Sequence, residues 1–283
     1  MSDCPKTGHG VEVVDMDVRE LLTEPVLEYG DRTVAEAGQI LRCTVGSGLH
    51  GIAIAGTDDH DEMGVFVEPA RWLLGLGYTR DSYVARSQAE GARSGPGDTD
   101  LVMYSLRKYL RLAVKGNPTA LLPLFAPEPD LLFCNELGHE LRALRQSFLS
   151  QAATTRVLGF MQAQRKALVN GGRKVPNRPE LVERYGYDTK YASHALRLAM
   201  QGRELAQHGR LTLPMPEAER QRVLEVKSGQ VKELQTVLDE IDAVAAEVVQ
   251  ALESGRTPLP QRADTATIEE WAVNVHRRFW DWA

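Results

Sequence analysis

The chain has 283 residues, 43% apolar and 25% charged, which suits one large or two modest globular domains and fits neither a disordered chain nor a fibre. Its net charge of −6 argues against a general nucleic-acid coat, because phosphates are neutralised by Lys and Arg. The average hides a local imbalance: residues 156–203 hold ten Lys or Arg against three Asp or Glu, while Asp58, Asp59, Asp61, Glu62 and Glu68 crowd one short segment.

In chain order, Val11–Val18 is a polar-apolar run, and a short helix is expected near Val34–Gln39. Ile40–Val45 is apolar and ends β-branched, and Met63–Val67 has the same character, so two strands bracket the intervening turn and acids. Residues 68–97 read as Gly-rich loop with one helical turn near Arg71–Leu74. Asp100–Tyr104 is a third apolar run. Ser105 is placed to cap a helix through Val114, ended by Gly116-Asn117-Pro118. Helical spacing then dominates over 137–149, 153–169, 188–207, 217–252 with a weak point at Ser228-Gly229, and 267–281. Strands before about 135 and helices after it predict an α+β fold, with a mixed-sheet domain over 1–135 and a helical domain over 136–283.

Cys4, Cys43 and Cys134 are too few and too scattered for a disulfide framework or a zinc site. With no signal-like N-terminus and no apolar run long enough to span a bilayer, a cytoplasmic protein is expected. The C-terminal Trp271, Phe279, Trp280 and Trp282 fit an amphipathic helix closing the fold.

The most informative stretch is Gly46-Ser47 followed by Asp59-His60-Asp61. Backbone N–H groups at a Gly-Ser turn that opens a short helix suit phosphate oxygens, and the Ser hydroxyl adds a donor. Side chains of an extended segment alternate between faces. Asp59 and Asp61 therefore share a face and can ligate one cation through oxygen. Gly46-Ser-Gly-Leu-His-Gly51 also matches the dinucleotide fingerprint GxGxxG, but Gly56-Thr57-Asp58-Asp59 interrupts where that fold needs a long helix. An ordinary hairpin with solvated acids is the bland alternative.

On a helix beginning near Asp188, which can act as its cap, Lys190, His194, Arg197, Gln201 and Glu204 line one polar stripe. Tyr191, Ala195, Leu198, Gly202 and Leu205 line the other side. Three donors without an acid before Glu204 point to a triphosphate, although a solvated face gives a similar pattern. Arg165, Lys166, Arg173, Lys174 and Arg178 offer either a nucleic-acid backbone contact or a soluble surface; without interleaved aromatics they make no stacking platform. Arg107 and Lys108 are expected to brace the sheet or the acidic site.

Gly46-Ser47 with Asp59-x-Asp61 resembles the DNA polymerase beta nucleotidyltransferase superfamily. Tyr104-Ser-Leu-Arg-Lys108, Gly116-Asn-Pro-Thr119 and Tyr185-Gly-Tyr-Asp-Thr-Lys190-Tyr-Ala-x-His194-x-x-Arg197 extend the likeness. Over residues 40–225 the chain is similar to predicted nucleotidyltransferases associated with RNA repair. The resemblance implies a polymerase-beta-like palm and transfer of a nucleoside monophosphate from an NTP such as ATP, with two-metal chemistry on Mg²⁺ or Mn²⁺ and release of pyrophosphate. It implies Asp59, Asp61 and a third carboxylate as metal ligands and catalytic residues, and Gly46, Ser47, Lys190, His194 and Arg197 at the nucleotide. Asp100 is the choice for the third carboxylate, with Asp98 the alternative on the same face. Asp58 stands where the family commonly has a small residue and is expected to add charge near the metals. An RNA end is the expected acceptor. A protein or small-molecule hydroxyl is the alternative, as is a catalytically silent nucleotide sensor. Oligomeric state and base preference are not legible.

Overall fold

The computed structural model describes residues 25–77, 79–92, 94–170 and 178–282. The Val11–Val18 run and Cys4 lie outside them. Six strands, β1 (Leu27–Tyr29), β2 (Gln39–Thr44), β3 (His60–Phe66), β4 (Ser82–Arg86), β5 (Thr99–Ser105) and β6 (Leu131–Cys134), form one sheet in the order β1-β4-β5-β3-β2-β6. In this sheet β3 and β5 run parallel and the other neighbours antiparallel. The expected mixed sheet is present.

The three strands read from apolar runs appear within a few residues of their expected bounds, and three others were missed. β4 sits inside the stretch read as loop, where Tyr83 and Ala85 are buried and Ser82, Val84 and Arg86 take the other face. That alternation covers only five residues and is masked by the glycines on either side. β1 and β6 are short edge strands, for which the same argument holds.

Around the sheet lie α1 (Arg32–Ala37), α2 (Gly46–Leu49), α3 (Ala70–Leu74), α4 (Leu106–Val114), α5 (Pro118–Phe125) and α6 (Glu136–Ala143). They are followed by α7 (Gln151–Asn170), α8 (Pro179–Tyr185), α9 (Thr189–His208), α10 (Glu217–Lys227), α11 (Leu234–Glu253) and α12 (Thr265–Trp282). The Ser105 hydroxyl caps α4 as expected, accepting from Lys108 N–H. Gly116-Asn117-Pro118 ends that helix and at once starts another: Asn117 caps α5 and Pro118 occupies its first turn, where a missing N–H costs nothing. The long 217–252 helix is two helices, because Gly229 takes a positive φ of +70° against the Tyr185 ring.

One buried cluster runs from Ile40, Leu41 and Val65 in the sheet through Leu121 and Leu141 to Leu196, Val244 and Val275 in the helices. A smaller cluster, Phe66, Tyr83, Ala85, Leu101 and Met103, covers the other sheet face with Ala35 of α1. Helix α9 is packed by α7, α10 and α11 and buries residues on nearly every side, so its polar stripe is not a solvated face. Trp271 donates to Glu140 at 2.9 Å and Trp280 to the Glu68 carbonyl at 3.0 Å, as a packing helix requires; the Trp282 side chain lies outside the described residues. Among the described residues no helix is long and apolar enough to cross a membrane.

Gly138 of α6 lies so close to β2 that a Cβ there would overlap the Ile40 carbonyl oxygen. Gly→Ala at an exposed helical position stabilises by up to ~1 kcal/mol. Here the backbone cannot yield, so Gly138→Ala is expected to destabilise by about 1–3 kcal/mol, measured as a lower urea midpoint with an unchanged slope.

Candidate active site

The parallel register pairs Asp61 of β3 with Asp100 of β5, side by side on the helix-covered face of the sheet. Asp59 lies just ahead of β3, and one carboxylate oxygen from each of the three lies within 4.8 Å of the others. Burial, and then the charges on Asp59 and Asp100, push the Asp61 carboxyl up to about 6. An all-oxygen donor set of three carboxylates, with one cation, Arg86, 3.8 Å from Asp100, fits a hard divalent cation such as Mg²⁺ or Mn²⁺.

Asp98 is not part of this group. Its oxygens accept from the Ser87 hydroxyl and the Gly95 N–H, both at 2.9 Å, within the loop. Asp100 accepts from Gln88 at 2.7 Å and Ser94 at 2.8 Å, with Arg86 at 3.8 Å.

The glycine-serine turn is brought over the acids by the antiparallel β2–β3 pair, where Val45 N–H donates to the Asp61 carbonyl at 2.8 Å. Gly46 has φ +66°, and a Cβ on it would overlap the Asp61 carboxylate. Only glycine therefore allows both the turn and its approach to the acid. Helix α2 starts here with no side-chain cap, leaving its leading N–H groups without a side-chain acceptor. It is four residues long and is followed by a strand antiparallel to β2, which removes the dinucleotide-fold alternative.

Facing the turn is α9. Asp188 caps it through Lys190 and Tyr191 N–H, which fixes where Lys190, His194 and Arg197 emerge. These three line a cavity of about 170 Å³ together with Ser47, Asp59 and Asp61. Arg197 Nη1 donates to His50 Nε2 and Gln201 Oε1, both at 2.8 Å, and meets no carboxylate among the described residues. Burial lowers its pKa to about 10, so it stays charged. Burial, then Arg197 and Lys190, push His194 down to about 3; burial and Arg197 also lower His50. Both imidazoles are neutral, and the positive charge of the pocket rests on the arginine and the lysines.

Two site residues escaped the sequence reading. His50 was visible only inside a glycine fingerprint. Lys227, at the end of α10, had no local signal at all. Its Nζ meets both Asp58 oxygens and the Ile52 carbonyl at 2.9 Å. That contact corrects the expectation for Asp58, whose charge is spent on Lys227 and on the Ile54 N–H and is not free to act on a metal.

Other expectations change as well. Glu204 is buried and accepts from Arg210 and Thr212 N–H at 3.0 and 2.8 Å, apart from the donors that precede it. Of the basic group, Arg165 is paired with Asp242 at 2.6 Å and so is not a free phosphate contact. Lys166 is exposed and Arg178 partly buried, while Arg173 and Lys174 lie outside the described residues. Lys108 pairs with Asp81 at 2.7 Å, bracing the sheet at the end of β5 away from the acids.

Without metal, the raised pKa of Asp61 has a definite sign. The folded state holds a proton that the unfolded chain would release, so this group's contribution is complete below about pH 4 and is lost as pH rises through about 6. Asp61→Asn is therefore expected to melt above wild type at about pH 8 in chelator and to lose that advantage near pH 4. Unlike wild type, it should gain no melting temperature from added Mn²⁺; thermal melts across pH check both.

Residues 31–274 match the RNA repair pathway DNA polymerase beta family (RlaP). No curated protein matches the chain. Among solved structures it is similar to a nucleotidyltransferase-like protein from Exiguobacterium sibiricum 255-15, with 12% identity over 78% of this chain and 71% of that one, at a TM-score of 0.28. The family match spans β2 to β6, the acids and all but the end of the helical segment, and the chain belongs to the RNA repair pathway DNA polymerase beta family, a branch of the polymerase-beta-like nucleotidyltransferases.

Proposed function

We propose that the protein transfers a nucleoside monophosphate from an NTP to a hydroxyl at an RNA end. The observation that supports this most is the convergence of three carboxylates, the Gly46-Ser47 turn and the cationic side of α9 on one cavity. Few arrangements other than a metal-triphosphate complex use dense negative charge and uncompensated positive charge a few ångströms apart.

In this reading Gly46 and Ser47 hold the β- and γ-phosphates through backbone N–H groups and the hydroxyl. Lys190 at the mouth and Arg197 deeper in neutralise the departing pyrophosphate, while neutral His50 and Gln201 orient Arg197 without cancelling its charge. Asp59, Asp61 and Asp100 would hold two Mg²⁺ or Mn²⁺ ions, which when bound supply charge neutralisation and acidify the acceptor hydroxyl. The acceptor oxygen bonds to the α-phosphorus as the α–β phosphoanhydride bond breaks. Its proton passes to Asp100, the carboxylate on the side away from the phosphate cavity. Residues 1–135 carry the chemistry, and 136–283 contribute α9 and the acceptor-facing surface.

The test is incubation with each α-labelled triphosphate, Mg²⁺ or Mn²⁺, and cellular RNA and protein. Label on RNA, sensitive to nuclease, is expected. Label on protein would reassign the acceptor, and a tight metal-dependent triphosphate complex that releases no pyrophosphate would make the protein a sensor. Joint Asp59→Asn and Asp61→Asn replacement is expected to cut turnover by about a thousandfold or more. Lys190→Ala should weaken triphosphate affinity about tenfold or more, and unchanged affinity in a binding titration would remove Lys190 from the site.

A further inference from the structure

The Gly116-Asn117-Pro118-Thr119 turn plays no part in the reading above, yet it stands beside the acids. A second cleft, of about 380 Å³, opens at Asp61 and extends away from the phosphate cavity, a size common for small-molecule sites. Asp61 borders both hollows, as do Gly46, His50, His194 and Arg197 at their junction, but Asp59 and Lys190 line only the first and Asp100 and Asn117 only the second. The floor of the second is the sheet itself. Asp100, Val102 and Tyr104 occupy alternate positions of β5 and share a face with Met63 of β3. The wall is the start of α5, with Asn117, Thr119 and Leu122.

That wall is rigid. Gly116 has φ +70°, and a Cβ on it would overlap Ala153 of α7. Asn117 N–H donates to the Leu112 carbonyl at 3.0 Å. The Asn117 Oδ1 accepts from Thr119 and Ala120 N–H at 3.0 and 3.1 Å, which fixes the amide orientation and leaves Nδ2 as the free end. Neither that NH₂ group nor the Thr119 hydroxyl has a hydrogen-bond partner among the described residues. Pro118 carries no N–H, and Leu121 N–H is taken by the Asn117 carbonyl at 3.1 Å. The first turn of α5 therefore has no spare backbone donor for an anion. It presents side-chain donors held in place beside apolar Val102, Tyr104 and Leu122, which suits a flat, neutral heterocycle with hydrogen-bond acceptors on its edge.

We propose that this cleft takes the terminal nucleoside of the RNA acceptor. The base lies over Val102 and Tyr104, its edge acceptors receive hydrogen bonds from Asn117 Nδ2 and Thr119 Oγ1, and its hydroxyl is left at Asp100. The inference rests on the nucleotidyl-transfer reading and adds the specificity-determining residues for its acceptor. The incoming nucleotide is assigned to the other hollow, because Lys190, a cation that lines that hollow alone and has no carboxylate partner among the described residues, belongs with phosphates, whereas Lys227 is held by Asp58.

The test uses the full chain with Thr119→Val and Asn117→Asp, singly and together. The first keeps shape and removes the hydroxyl; the second keeps the capping oxygen and removes the NH₂ donor. Each is expected to raise the KM for short RNA oligonucleotides with a free 3′ hydroxyl by about threefold to tenfold, as the loss of one hydrogen bond does, with the KM for the triphosphate unchanged. Direct binding of the same oligonucleotides in Mn²⁺ without triphosphate should weaken in parallel, and the variants should melt as wild type does. A rise in triphosphate KM with RNA binding intact would place the incoming base in this cleft and overturn the proposal. So would unchanged RNA binding in folded variants, which would leave the turn a helix cap only, or label transfer to a protein acceptor that the variants impair while RNA does not compete. If wild type transfers no label to any acceptor, the transfer reading fails; oligonucleotide binding lost in the variants would still stand as evidence for the cleft.

Discussion

The parallel pairing of β3 with β5 is the constraint on which the site depends. It sets Asp61 against Asp100 on one face, and the extended chain ahead of β3 adds Asp59, so three like charges share a space of a few ångströms. Burial, and then the charges on Asp59 and Asp100, raise the pKa of the Asp61 carboxyl, so its ionised form is held at a cost to the fold. The sheet is anchored from both sides by buried apolar clusters, and that packing holds the carboxylates where mutual repulsion would spread them. A shift of β5 by one residue would turn Asp100 to the opposite face, which makes the register itself a functional feature.

Helix α9 imposes a complementary constraint. It is a central helix, packed on most sides, yet it carries Lys190, His194 and Arg197 along one edge. A charged guanidinium bound to neutral His50 and Gln201 is unfavourable in the free protein, because its positive charge is solvated incompletely and paired with no carboxylate among the described residues. On the proposed reading a triphosphate would relieve that cost, and a metal-nucleotide complex lying between the acids and the cations would satisfy both. The Lys227–Asp58 pair contributes differently. It ties the end of α10 to the loop that delivers Asp59, so the helical part of the chain helps to place the acids contributed by the sheet part.

Much of this was legible in the sequence because it depends on local patterns. Short apolar runs gave β2, β3 and β5, the Ser105 cap gave α4, and the Asp188 cap with its 3.6-residue stripe gave α9 and its three donors. Asp59 and Asp61 could be paired from spacing alone. Asp100 could be proposed, but its choice over Asp98 needed the strand register, which is a long-range property. Lys227, about 170 residues from its partner Asp58, could not be found from spacing, nor could the loss of Arg165 to Asp242. The short strands β1, β4 and β6 were hidden for another reason: three to five residues of alternation do not rise above the surrounding glycines and prolines. The Asn117 turn was read as a stop signal, when its side chain in fact begins α5 and borders the acids.

The most direct test of the central claim is anomalous scattering from crystals grown with Mn²⁺ and a non-hydrolysable triphosphate. The account predicts a manganese peak about 2.2 Å from carboxylate oxygens of Asp59 and Asp61, with Asp100 at the same cluster and the phosphates between Gly46 and Arg197. Manganese bound elsewhere, or a triphosphate seated with the three carboxylates still free of metal, would contradict it.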